Sequence, residues 1–194
     1  MKIHHLSLTA LTLGVLAACS TPESRAEESA SGSVATEASA TPAPAPALDD
    51  PTIVAIFDGA NTADIETGEL AAKKGSTKAV RDFGAMLAHD HKAVRQLGRD
   101  LAGRLHVTPT PPADDASAKA HADAMATLRA KSGVEFDKAF LDHEVAFHQS
   151  VIDAVGSTLL PAIQNAELKA LVEKVAPNFE AHRLAAANLR AQIK

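Results

Sequence analysis

Residues 165–194 carry a repeat that leaves the chain few folds. Leu168, Val172, Val175, Phe179, His182, Ala186, Leu189 and Ile193 follow one another at steps of four and three without a slip. Such a spacing keeps one face of a helix apolar, and it belongs to helices that cross at small angles, as in a four-helix bundle. Three other stretches read the same way. Residues 51–74, ending at Gly75, give Ile53, Phe57, Ala60, Asp64, Gly68 and Ala71. A second helix, with Ser76 as its expected N-cap and running to about His106, gives Val80, Phe83, Leu87, His91, Val94, Gly98, Leu101 and Leu105. A third, over about 133–160, gives Val134, Asp137, Leu141, Glu144, His148, Val151 and Val155. Residues 107–115 (VTPTPPADD) read as a loop, and about 116–131 as a short helix with a weak apolar stripe. The expected fold is all-α, a four-helix bundle with an extra short helix between helices two and three.

Each seam is apolar except near its middle. Asp64, His91, His148 and His182 lie within about two residues of the centres of their helices, roughly 3 Å of rise. Helices packed with aligned ends therefore bring them to one level. Glu144 and Asp137 lie a turn or more away on the third seam, and Glu144 shares a face with His148. Ionised groups are not kept in a core without partners. Such a cluster has two uses. Neutral imidazoles and carboxylates together suit Zn, Fe, Mn or Cu(II). Alternatively, a closed network of His–carboxylate hydrogen bonds sets helix register.

The start of the chain speaks for export. Lys2 precedes an apolar run from Leu6 to Ala18, too short to span a membrane and laid out as a signal segment. Cys19, directly after Leu16-Ala17-Ala18, resembles the modified cysteine of a bacterial lipobox. That resemblance implies cleavage before Cys19, lipid on its thiol, and a membrane anchor in the cell envelope. Ser20 rather than Asp after the cysteine resembles sorting to the outer membrane, with the domain on the periplasmic face. Cys19 is the only cysteine, so the chain has no disulfide and no thiolate ligand for a metal.

Residues 19–50 are rich in Ser, Ala, Glu and Pro and have almost no large apolar side chains; they read as a tether. Residues 51–194 suffice for one domain with a core. Loss of the signal segment (1–18) removes Lys2 and makes the net charge one unit more negative than −5. That acidity, with no Tyr or Trp to stack on bases, argues against a nucleic-acid partner. No nucleophile triad, phosphate-binding loop or nucleotide fingerprint is present, which favours a non-enzymatic role.

Several motifs are similar to those of the domain of unknown function 4142 family. Asp64, Glu66, Gly68, Leu70 and Ala71 match its acid-x-acid and Gly-x-Leu-Ala, and Met86 with Asp90-His91 matches Met-x-x-Asp-His with one extra residue. Phe136-Asp137 with His148, and Pro177 with His182, match its last two. The resemblance implies a ferritin-like bundle in a secreted or membrane-anchored protein. Ferritin-like di-iron sites use Glu-x-x-His pairs. Here Ala88, Val145 and Phe179 stand three residues before the histidines, so an oxygen-activating di-iron centre is not expected. A single divalent ion fits better, with Asp64 or Glu66, His91, Glu144, His148 and His182 as candidate ligands. Asp90 and Asp137 are expected to hold imidazole N–H groups. His89, His106, His121 and His143 lie off the seams or at ends and are expected to be solvated. Phe136, Phe140 and Phe147 form a stripe expected to pack in the core.

Overall fold

A computed structural model describes residues 48–194, so the signal segment and nearly all of the tether lie outside the described residues. Four long helices and one short one make up the bundle: α1 (Asp50–Lys74), α2 (Lys78–Leu105), α3 (Ala116–Ala130), α4 (Gly133–Ala154) and α6 (Ala166–Gln192). Between the last two come a π turn, Val155–Leu159, and the single turn α5, Leu160–Ala162. The third seam thus keeps its last residue, Val155, buried, while the helix goes on as a wider π turn. Pro161 has no N–H to donate to the turn before it, and the helix widens just there. Pro177, by contrast, leaves α6 continuous.

Local chemistry starts the helices. Asp49 accepts from the Thr52 N–H at 2.9 Å, Thr77 from Val80 at 3.2 Å, and Asn165 from Glu167 and Leu168. The cap of α2 is therefore Thr77 and not Ser76, because Ser76 is engaged elsewhere. Its N–H and hydroxyl, with the Thr77 N–H, all donate to Asp137 of α4.

That contact fixes direction. It puts the starts of α2 and α4 at one end of the bundle. The Asp50 carboxylate accepts from the N–H groups of Gln164 (2.9 Å) and Asn165 (2.8 Å), which puts the starts of α1 and α6 at the other. Short turns make α1–α2 and α4–α6 antiparallel pairs, and α3 belongs to the single long crossover, the connectivity that ferritin-like bundles use. The first pair is zipped tightly: a Cβ on Gly68 would lie 2.6 Å from the Gly84 carbonyl oxygen.

Two apolar clusters fill the bundle. One gathers Ile53, Phe57, Leu101, Val155, Leu168, Val175 and Phe179; the other gathers Val80, Phe83, Leu87, Phe136, Phe140, Leu141 and Ala186. Phe136 and Phe140 are fully buried, as the stripe predicts, and Phe147 is half-buried. Val134 is exposed, although Phe136 and Asp137 just after it in α4 are fully buried. Among the described residues no helix is long and apolar enough to cross a membrane.

Candidate metal centre

Between the two apolar clusters lies a polar layer drawn from all four long helices: Asn61, Asp64 and Thr67 from α1, His91 from α2, Glu144 and His148 from α4, and His182 from α6. None is more than 6 % exposed. Seven buried polar groups in the middle of the bundle need partners or an ion.

Each imidazole has one nitrogen tied to an acceptor. Asn61 donates its amide N–H to the Phe57 carbonyl at 2.8 Å, which turns its oxygen toward His91 Nδ1 at 2.9 Å. His91 therefore donates from Nδ1. His148 Nδ1 donates to the Glu144 backbone carbonyl at 2.9 Å. His182 Nε2 lies 3.3 Å from the Asp90 carboxylate and donates to it. A neutral imidazole has a single N–H. By these partners His91 Nε2, His148 Nε2 and His182 Nδ1 carry lone pairs.

Two of those lone pairs meet. His91 Nε2 and His182 Nδ1 are 3.2 Å apart, and each of the three histidines offers a ring nitrogen within 4.8 Å of the other two. Two nitrogen ligands at 2.0–2.1 Å in a tetrahedral site stand about 3.3–3.4 Å from each other. Burial above all pushes His91 down to about 3 and His148 to about 4. It lowers His182 too, against the pull of Asp90. The rings are neutral at neutral pH, the state a metal requires.

The carboxylates complete the layer. Asp64 approaches His91 Nδ1 at 3.4 Å and His148 Nε2 at 3.9 Å, while Glu144 approaches His148 Nδ1 at 3.5 Å. Both oxygens of each acid, and His148 Nε2, are buried without a hydrogen-bond partner. Burial raises Asp64 well above the carboxylate range, with the charge of Glu144 adding to it, and burial raises Glu144 to about 7. Two adjacent acids cannot both ionise in a dry core unless a cation accompanies them. The donors fall into two overlapping sets that share His148, one of His91, His148 and His182 and one of Asp64, Glu144 and His148, and either set could hold a transition-metal ion.

The description Domain of unknown function (DUF4142) matches residues 35–189. The chain belongs to that family. No curated protein and no solved structure matches it.

Within this DUF4142 domain the structure brings His91, His148 and His182 into one group and Asp64, Glu144 and His148 into another, and sets Asp90 against His182. It places two residues elsewhere. Glu66 is exposed and binds His121 Nε2 at 2.9 Å; two residues after Asp64, it points to the opposite side of α1. Asp137 holds no imidazole and instead caps the start of α2. His121 and His143 are half-buried rather than solvated. Periodicity passed over Asn61, which fixes the His91 tautomer. Its signal was an Asn one turn before Asp64 in a helix interior, where Asn is unfavourable.

Proposed function

We propose that this protein is a lipid-anchored envelope protein whose bundle holds one divalent transition-metal ion, for storage, buffering or protection rather than catalysis. The observation that carries this reading is the convergence of the His91, His148 and His182 lone pairs, each set by a partner on its ring's other nitrogen. Three imidazoles favour Zn, Cu or Fe, and Mn less, over hard ions such as Mg or Ca. The charge of Asp64 and Glu144 would balance one divalent ion in the dry core. Such an ion would add a link among the three helices that carry the histidines. Cys19 after Leu-Ala-Ala supports the anchor, and residues 19–50 would hold the domain off the outer membrane's periplasmic face.

The test uses the mature chain, purified without a histidine tag and stripped of metal. Titration with Zn(II) or Co(II) at pH 7.5 should show one ion per chain and a raised melting temperature, both lost in His148→Leu. A flat titration with every late first-row ion overturns the reading.

A purely structural layer is the second reading. The nearness of the Asp64 and Glu144 carboxyls is the observation in its favour, since a proton shared between them would satisfy part of the orphaned pair. In that case His182→Leu leaves stability equal or higher, and no ion changes it.

A further inference from the structure

The polar layer is covered unequally. Between α1 and α2 the Gly68–Gly84 contact brings the two backbones together. The α1–α4 side lies under α3, which buries Met125 and Leu128, bonds His121 to Glu66 and presents its Leu128 carbonyl to Lys74. α4 and α6 pack as a close antiparallel pair. On the fourth side, between α2 and α6, no other element among the described residues lines the groove over the seam. A groove of about 500 Å³ opens there, with Asp90, Ala93, Asn178, Ala181 and His182 in its wall.

His182 separates that groove from the layer. At 6 % it is the most exposed of the layer's ionisable residues; Asp64, His91, Glu144 and His148 lie between 0 % and 3 %. Its Nδ1 faces inward to His91 and its Nε2 outward to Asp90, whose side chain is 41 % exposed. A single ring thus spans the wall, held from outside by one surface carboxylate. Pro177 removes a ladder hydrogen bond from α6 about one turn before it, which gives the helix local freedom beside the groove.

We propose that the α2–α6 groove is the passage through which a late first-row divalent cation enters and leaves, with His182 as its gate and Asp90 as the carboxylate that first receives the cation and then latches the ring. This rests on the metal reading above. Asp90 is a hard anionic ligand at the mouth, suited to a hydrated cation. Swinging the His182 ring outward breaks its bond to Asp90 and its contact with His91, and would open the layer without parting the helices. The small side chains of Ala93 and Ala181 keep the groove clear, and both are exposed, so larger residues there need not disturb the core.

The experiment follows Zn(II) loading of the metal-free mature chain, and its release to excess chelator, by stopped flow. Ala93→Leu combined with Ala181→Leu should slow both rates tenfold or more while the chain still takes one ion. Asp90→Asn should slow loading and speed release. Lys73→Leu, on the face beneath α3, should change neither. Unchanged stoichiometry shows that each variant is folded. Rates within twofold of wild type in the filled-groove variant, with one ion bound, overturn the passage and leave the metal reading intact. A wild-type chain that takes no ion overturns both.

Discussion

Asp137 and Glu144 stand seven residues apart on one face of α4, and both are fully buried. At the end of the bundle Asp137 accepts from two N–H groups and a hydroxyl of the α1–α2 turn. In the middle, both oxygens of Glu144 lack a partner, as do those of Asp64 beside it. The same residue class at the same seam position thus does opposite things. The first acid ties two helix starts together, and its donors would be stranded without it. The second raises the energy of the metal-free core and makes sense where a cation arrives. Burial and periodicity do not separate the two; the count of donors around each does.

Removing Asp137 should have the largest effect. Asp137→Leu strands three donors at the start of α2 and should cost about 3 kcal/mol or more, with a fall of about 10 °C in melting temperature, whether or not metal is present. Calorimetry with and without Zn(II) checks this; a loss seen only with metal would join Asp137 to the centre. Glu144→Leu should act in the other sense. It removes an unpaired buried acid, so the metal-free protein gains about 1–3 kcal/mol in urea unfolding, while ion affinity drops tenfold or more.

The pH dependence sharpens the contrast. Glu144 titrates near 7 in the folded chain against an ordinary 4.5, so its contribution to stability is present below 4.5 and is lost as pH rises toward 7. His91 and His148, lowered to about 3 and about 4 from 6.5, do the reverse: their contribution is present above 6.5 and is lost as pH falls toward 4. Glu144→Gln should therefore steepen the metal-free protein's rise in stability between pH 4.5 and 6.5, by up to about 1.4 kcal/mol per pH unit. An unchanged slope would mean that Glu144 is not the buried acid described here. The smallest effect belongs to Glu66→Gln, which should leave ion affinity within twofold of wild type. A larger loss by calorimetric titration would bring Glu66 back toward the site.

The depth of the layer was legible because helix centres and seam positions are both properties of the chain. Asp64, His91, His148 and His182 follow from counting. Glu144 follows from sharing a face with His148. The role of Asp137 was not legible, since its partners lie 60 and 61 residues away at a helix start that periodicity does not locate in space. Glu66 entered as an alternative to Asp64 because an acid-x-acid motif does not say which acid turns inward. Asn61 was missed because it does not titrate, although its carbonyl decides which nitrogen of His91 faces the other rings. The π turn at Val155–Leu159 left no periodic trace; Pro161 was its only marker.

The central claim is that three histidine nitrogens share one ion. A crystal of the mature protein soaked in Zn(II), measured on both sides of the zinc absorption edge, tests it most directly. The account predicts one anomalous peak per chain, about 2.0–2.1 Å from His91 Nε2, His148 Nε2 and His182 Nδ1. An empty difference map at that point, with the imidazoles and the Asp64–Glu144 pair bonded only to one another, would contradict it.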